Sequence, residues 1–275
     1  MHNGGSIAYD VTGSGATLVF IHGFTLDRRM WRPQVYALRK LARVVTYDCR
    51  GFGESSCPTG PYSHADDLDR LLDEIQADAA HLVGLSMGGR IALAYALRRP
   101  DRVASLVLIS TDVGGYRYRV SWDVSVTRGL AAAREAWLRH DIFRTVRDNP
   151  PAWRLVREMV MAYSGWHWRF VDDRRPPDTD TLERLAEVAA PTTVIVGERD
   201  LPDFHDVSRI LVKRMPKARK VIVGDSGHLL NLERSTACNH VLAEHLAAVA
   251  SWAYGSVSPG RDSTPPVDTS RDRTT

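Results

Sequence analysis

The sequence predicts an α/β protein built on one mostly parallel sheet. Apolar runs of strand length alternate with amphipathic, helix-forming segments along most of the chain, which is typical of repeated βαβ units. Several of these runs are apolar throughout, as expected for strands that are covered on both faces. The chain has 275 residues, of which 44% are hydrophobic and 25% charged, so it can bury one sizeable core.

Each predicted element follows from its residue pattern. A Gly-Ser-Gly turn at 13–15 separates the first two strands. The segment 62–76 predicts an amphipathic helix, because Leu68, Leu71 and Leu72 recur at helical spacing. The predicted strands are 6–11, 17–21, 44–47, 81–83, 103–109, 193–196 and 220–223. The predicted helices are 28–40, 62–76, 90–97, 207–214 and 239–252.

Two segments break the alternation and suggest how the chain is divided. Residues 112–181 hold helical patches, no convincing strand and most of the chain's seven tryptophans. We interpret them as a helical cap inserted into a core domain of residues 1–111 and 182–254. Residues 255–275 are rich in Ser, Pro, Asp, Thr and Arg. They have too few apolar side chains to offset ordering entropy, so we expect a disordered tail.

The aromatic residues of the cap have two interpretations. They could line a substrate pocket, or they could form the small core of the cap itself. On the first interpretation Trp122, Trp137 and Trp166 contact the substrate. Thr25, from a loop of the core, is a further substrate-binding candidate through its hydroxyl.

Composition argues against several classes of protein. A net charge of +3 without a basic, aromatic-interleaved stripe argues against nucleic-acid binding. Cys49, Cys57 and Cys238 are scattered, which argues against a disulfide framework or a zinc site. Residues 1–7 do not resemble a secretory signal, and no apolar run is long enough to cross a bilayer. We expect a cytoplasmic protein that acts on a small molecule; its oligomeric state is not predicted.

The most informative motif is Gly84-Leu85-Ser86-Met87-Gly88-Gly89, between an apolar strand and a helix-forming run. A serine among small residues at a strand-to-helix turn indicates a nucleophile elbow, a strained turn that exposes the hydroxyl. A side chain at Gly84 or Gly88 would collide with the neighbouring backbone. The helix that follows directs free N–H groups and its positive dipole end at the reaction centre. An ordinary packing junction with a chance serine is the alternative.

A nucleophilic serine needs a histidine base and a carboxylate that orients it. For an elbow serine the expected chain order is Ser, acid, His. His228 stands in a loop after the last predicted strand and is the candidate general base. Asp200 follows the preceding strand and is the candidate orienting acid. Glu198 and Asp203 belong to the same loop and remain alternatives.

Acyl transfer also needs backbone donors for an oxyanion. One donor should be the N–H that follows the nucleophile, which is that of Met87. The other should come from the loop after strand 17–21, where we select the N–H of Phe24. His22 precedes it, and we expect its ring to bond the backbone of this loop.

Together these motifs resemble the α/β-hydrolase superfamily from about residue 7 to about residue 252. The matching pieces are His22-Gly23-Phe24 with Trp31, the loop 48–55, the elbow 84–89, the loop 197–200 and Gly227-His228. The elbow and the short His-Gly-Phe loop are most similar to those of small capped esterases and lactonases. These include 3-oxoadipate enol-lactonases and cofactor-free haloperoxidases. The resemblance implies the α/β-hydrolase fold with an inserted helical cap. The cap sequence itself carries no such match, so a substrate does not transfer.

The expected function is hydrolysis of a small carboxylic ester, thioester or lactone through an acyl-enzyme, without a metal or an organic cofactor. Hydrolysis of a C–C bond, or a non-hydrolytic biosynthetic step on the same fold, is the alternative. A serine at position 86 argues against dehalogenase and epoxide-hydrolase chemistry, since those relatives use an aspartate there. A non-catalytic binding protein would be expected to lose part of the triad. The aromatic cap suggests an apolar or aromatic substrate.

Overall fold

The computed structural model describes residues 5–170 and 180–255, with the backbone alone for 251–255. Within them a seven-stranded sheet has the spatial order β1-β3-β2-β4-β5-β6-β7. The strands are β1 (Tyr9–Thr12), β2 (Thr17–Ile21), β3 (Arg43–Tyr47), β4 (Ala80–Leu85), β5 (Val103–Ile109), β6 (Thr192–Gly197) and β7 (Ala218–Val223). Only the pairing of β1 with β3 is antiparallel. The predicted α/β class with a mostly parallel sheet is confirmed.

Helices cover both faces of this sheet. The helices of the described residues, those of the cap included, are α1 (Arg32–Leu38), α2 (His64–Glu74), α3 (Met87–Arg98), α4 (Leu130–Trp137), α5 (Pro150–Ala162), α6 (Trp166–Arg169), α7 (Pro202–Arg214), α8 (Leu230–Glu233) and α9 (Ser235–Gly255). Leu18 and Phe20 of β2 pack in a cluster with residues of α1, α5 and α9. Val19 and Ile21 belong to a second cluster with residues of α2, α3 and α7. Successive strand residues therefore supply two apolar layers, as the period of a strand requires.

Some element boundaries differ from those predicted. The helix predicted at 207–214 begins at Pro202, because proline fits the first turn of a helix, where no N–H is needed. Asp203 therefore lies in a helix, where we had expected a continuing loop. The helix predicted at 28–40 is a 3₁₀ turn, Arg28–Trp31, followed by α1, which begins at Arg32 with Pro33 in its first turn. The last helix begins at Ser235 and includes Gly255, where the tail was expected to start.

Between β5 and β6 the described residues are helical or irregular and contain no strand. Residues 112–181 are called the cap from here on; their part 171–179 lies outside the described residues. The predicted disordered tail, from 256 onward, also lies outside them. Among 5–170 and 180–255, no helix is long and apolar enough to span a membrane. The same residues contain no group of three or more His, Cys, Asp or Glu that could hold a metal ion.

Candidate active site

Ser86 occupies a strained turn at the carboxyl end of β4. Its backbone has φ 54° and ψ −115°, which few residues other than glycine adopt. A Cβ on Gly84 would overlap the backbone of Gly88 and Gly89, and one on Gly88 would overlap the carbonyl of Ile21. The turn can therefore close only because these two positions lack side chains. It aligns α3 so that Met87 is its first residue, whose N–H has no acceptor within the helix.

Asp200 and His228 lie side by side at the same sheet edge, in the loops that follow β6 and β7. The His228 Nδ1–H donates to the Asp200 carboxylate, at 3.2 Å from Oδ1 and 3.4 Å from Oδ2. The backbone N–H of Leu201 also donates to Asp200 Oδ1, at 2.7 Å, which holds that carboxylate in place. With Nδ1 as the donor to Asp200, Nε2 is the nitrogen of a neutral imidazole that carries the lone pair.

His228 Nε2 is buried and has no hydrogen-bond partner among the described residues. The hydrogen bond between this nitrogen and the Ser86 hydroxyl is therefore not formed here, although both residues line one cavity. Nucleophile–base hydrogen bonds are often long without substrate and shorten in the reacting complex. The ring of His228 also packs against Phe204 of α7, with ring centroids 4.3 Å apart.

The two alternative acids have other partners. Asp203 accepts hydrogen bonds from the backbone N–H of Arg119 at 3.0 Å and from its Nε at 2.7 Å, and so ties α7 to the cap. Glu198 is exposed and accepts the backbone N–H of Asp225 at 3.0 Å. Of the three acids considered from the sequence, only Asp200 bonds to His228 in the described part of the chain.

The loop after β2 carries the second proposed oxyanion donor. The His22 Nδ1–H donates to the carbonyl of Gly23 at 2.8 Å, and its Nε2 accepts the N–H of Cys49 at 2.9 Å. His22 thus bonds the loop backbone, as expected from the sequence, and its complete burial lowers its pKa. Phe24 and Met87 line the same cavity. Thr25 has φ 63°, and its hydroxyl donates to the carbonyl of Phe24 at 2.6 Å.

A cavity of about 450 Å³ lies between the sheet edge and the cap. Ser86, Met87, His228 and Phe24 line it from the core. The cap contributes a wall of aromatic rings, namely Tyr116, Tyr118, Trp122, Trp137, Phe143 and Trp168. Arg90 and Asp112 add one ion pair to the lining, with 3.4 Å between nitrogen and oxygen. The cavity is thus small, largely aromatic and polar at one edge.

Four residues had been proposed to contact substrate, and the structure brings only two of them to this cavity. Trp122 and Trp137 line it, with ring centroids 6.1 Å apart. Trp166 lies outside it and packs against Tyr62, with ring centroids 6.0 Å apart. Thr25 is also outside it and is almost completely buried; its hydroxyl accepts the Trp137 indole N–H at 2.7 Å. Thr25 therefore supports the aromatic wall and does not form part of it.

Several lining residues were not singled out from the sequence. Trp168 lines the cavity with a buried indole N–H that has no hydrogen-bond partner among the described residues. Phe204 supports the candidate base from the core side. Arg90 could have been found from the sequence, because it follows Ser86 by four residues and residues four apart share a helix face. No comparable signal distinguishes Trp168 from the other cap tryptophans.

The chain is similar in sequence to known proteins over most of its length. Residues 16–235 match the family model described as alpha/beta hydrolase fold. The 3-oxoadipate enol-lactonase 1 of Acinetobacter baylyi is 27% identical over 243 residues, which cover 84% of this chain and 89% of that protein. The 2-hydroxy-6-oxononadienedioate/2-hydroxy-6-oxononatrienedioate hydrolase of Cupriavidus pinatubonensis is 28% identical over 263 residues, which cover 86% of this chain and 88% of that protein.

A solved structure is also similar over most of the chain. The thermophilic esterase from Thermogutta terrifontis superimposes with a TM-score of 0.73 at 27% sequence identity. The match covers 88% of this chain and 93% of that one. Similarity in sequence and similarity in fold thus each extend over most of the chain.

Proposed function

Since the chain belongs to the alpha/beta hydrolase fold family, we propose that it is a serine hydrolase that cleaves a small carboxylic ester, thioester or lactone. One observation carries the proposal. Ser86 on its strained turn and the unpartnered Nε2 of His228 line one cavity, while Asp200 holds the opposite nitrogen of the same ring. This is the arrangement that converts an alcohol into a nucleophile.

The proposed reaction has two stages. Ser86 Oγ attacks the carbonyl carbon while His228 Nε2 takes the hydroxyl proton, and the N–H groups of Phe24 and Met87 hold the oxyanion. His228 then gives its proton to the leaving oxygen or sulfur, which leaves an acyl-enzyme. A water molecule, deprotonated by His228, attacks the acyl-enzyme and releases the acid. Asp200 stabilises the imidazolium formed in each stage.

The cavity supports a small substrate with an apolar or aromatic part. Its volume of about 450 Å³ suits a compact molecule, and aromatic rings dominate its cap side. Similarity to an enol-lactonase and to an esterase supports cyclic and open esters equally.

A second candidate is hydrolysis of a C–C bond in a dicarbonyl compound on the same residues. It is favoured by the similarity to the Cupriavidus pinatubonensis hydrolase, whose named substrates are 6-oxo acids and not esters. In that case the bond that breaks is the C–C bond beside the ketone, and the leaving carbon takes the proton that His228 had accepted. The same serine, base and oxyanion donors would act on the ketone carbonyl.

A covalent probe and a substrate panel test both candidates. A fluorophosphonate should label Ser86 in the wild-type chain and fail to label the Ser86→Ala variant. A panel of p-nitrophenyl esters of graded chain length, p-nitrophenyl benzoate, several lactones and a 2-hydroxy-6-oxo-dienoate then identifies the bond that is cleaved. Turnover of esters or lactones supports the first candidate, and turnover of the 6-oxo acid alone supports the second. A folded protein that neither reacts with the probe nor turns over any of these compounds contradicts both.

A further inference from the structure

Glu233 contacts the loop that carries the candidate base. It ends α8, and its carboxylate accepts the backbone N–H of Gly227 at 2.8 Å and that of Leu229 at 3.1 Å. These are the residues on either side of His228. Asp200 holds the imidazole ring through Nδ1, whereas Glu233 holds the backbone from which the ring projects. The two carboxylates therefore constrain different parts of the same residue.

The same carboxylate also reaches the cap. The Thr145 hydroxyl donates to Glu233 Oε1 at 3.0 Å, and the Asn149 side-chain amide donates to the Glu233 carbonyl at 3.4 Å. A Cβ on Gly227 would overlap the Thr145 hydroxyl, so the two segments approach this closely only because position 227 is glycine. Phe143, close to Thr145 in sequence, lines the cavity. The cap segment that contains Phe143 and Thr145 is thus hydrogen-bonded, through Thr145, to the side chain that holds the loop of His228.

The Glu233 carboxylate accepts three hydrogen bonds. The Thr145 hydroxyl and the Leu229 N–H donate to Oε1, and the Gly227 N–H donates to Oε2. An ionised carboxylate has acceptors only and can accept all three. The pKa of Glu233 is raised, because burial outweighs the lowering by these donors.

We propose that Glu233 is a positioning residue that holds the backbone of His228 and couples it to the cap through Thr145. It touches no reacting atom. The proposal rests on the proposed function in so far as His228 is the base. Its structural part, the bracket around residue 228, can be tested without any substrate.

Glu233→Gln is the central variant, and Glu244→Gln is its control. Glu244 is an exposed glutamate on α9 that forms an ion pair with His240. In Glu233→Gln an amide NH₂ replaces one acceptor, so a backbone N–H loses its partner and the charge beside His228 is removed. We expect kcat for p-nitrophenyl acetate to fall by up to about 100-fold, the cost of a misplacement of order 1 Å. KM should stay within about twofold of the wild-type value, because the contacts to bound substrate are unchanged.

The split between kcat and KM separates positioning from general loss of structure. A misplaced base lowers kcat of the folded enzyme, whereas unfolding lowers the apparent kcat only in proportion to the folded fraction, which circular dichroism measures. Glu244→Gln should leave both kcat and KM as in the wild type. If Glu233→Gln loses activity only in proportion to its unfolded fraction, the role is merely structural and the proposal is wrong.

Two further measurements keep the test decisive. NMR hydrogen exchange should show faster exchange of the Gly227 and Leu229 amides in Glu233→Gln than in Glu244→Gln; equal rates would refute the bracket whether or not the protein is an esterase. Thr145→Val removes the link to the cap and Thr145→Ser retains it, with Glu233 in place in both. We expect a several-fold lower kcat for Thr145→Val alone, and equal activities of the two variants would refute the coupling even if Glu233→Gln does not fold.

Discussion

The sheet edge and the cap build opposite walls of one cavity by different means. At the sheet edge, positions are determined by backbone contacts: a Cβ on Gly84 would overlap the backbone of Gly88, and one on Gly197 would overlap the backbone of Gly227. The last contact brings the loop of Asp200 directly against the loop of His228. No side-chain rearrangement can relieve overlaps of this kind, so the spacing of the candidate triad follows from the chain path.

The cap wall is held by side chains. Its rings pack at centroid distances such as 5.8 Å for Tyr118 with Trp122 and 5.7 Å for Trp137 with Phe143. Polar contacts also tie it to the core, among them those from Arg119 to Asp203, from Trp137 to Thr25 and from Thr145 to Glu233. Ring packing tolerates exchange of similar volumes far better than backbone contact tolerates an added atom. We therefore expect changes in the cap to alter substrate choice, and changes at the sheet edge to alter the chemistry or the fold.

The largest expected effect is a difference in activity between variants of two serines at the sheet edge. Ser86 and Ser110 both have positive φ at the ends of neighbouring strands, but Ser110 has a buried hydroxyl without a partner among the described residues and does not line the cavity. Ser86→Ala should lower kcat on the order of 10⁶-fold, the loss found when a triad nucleophile is removed. Ser110→Ala should turn over the best ester of the panel at the wild-type rate. Steady-state kinetics and circular dichroism check both, and substantial turnover by Ser86→Ala would exclude the acyl-enzyme.

The next largest effect contrasts two aspartates. One is the candidate orienting acid at the sheet edge, and the other is bonded to the cap. Asp200→Asn should lower kcat on the order of 10⁴-fold, because an amide at this position favours the wrong tautomer of His228. Asp203→Asn breaks the tie to Arg119 and should cost about 1–3 kcal/mol of unfolding free energy, since a buried hydrogen bond to a charged group is weakened. Its kcat should stay within about tenfold of the wild-type value. If the kinetic effects were reversed, Asp203 would be the orienting acid.

A smaller effect tests the rigidity of the sheet edge. Gly84→Ala should lower the free energy of unfolding by about 2–3 kcal/mol, because the added methyl group meets backbone atoms that cannot move aside. Gly224 is the matched control, since a Cβ there would have only the Glu198 carboxylate nearby, at 3.8 Å. Gly224→Ala should change stability by less than about 0.5 kcal/mol. Urea denaturation measures both, and equal stabilities would show that the turn has room that the contacts do not suggest.

The smallest effect concerns the cap wall. Trp137→Phe keeps an aromatic ring in the cavity but loses the hydrogen bond to Thr25, which should cost about 1 kcal/mol of binding or stability. We expect KM for an aromatic ester to rise about fivefold, with kcat nearly unchanged. Trp166→Phe, outside the cavity, should leave KM unaltered. A change in KM for Trp166→Phe as large as that for Trp137→Phe would mean that the cavity extends beyond the residues that line it here.

The fold and the residues at the sheet edge were accessible from the sequence because their signals are local. Apolar runs predict the strands. The glycines on either side of Ser86 predict a tight turn, which only glycine permits at these positions. His228 and Asp200 could be selected because each follows a predicted strand in a glycine-bounded loop. Their hydrogen bond agrees with that selection, and their catalytic roles remain proposals. The early start of α7 at Pro202 escaped notice because a short Leu-Pro-Asp-Phe stretch looks like loop.

The α/β class and the order of the elements could be predicted from the sequence, and so could the selection of His228 and Asp200 as neighbours at one edge of the sheet. These depend on periodicity and on backbone geometry, both of which are encoded by near neighbours. Tertiary packing places Trp122 and Trp137 at the cavity and Trp166 outside it, and it brings Glu233 between the loop of His228 and the cap. Such contacts join residues that are far apart along the chain. They depend on how helices and loops pack against one another, and no local pattern records that packing.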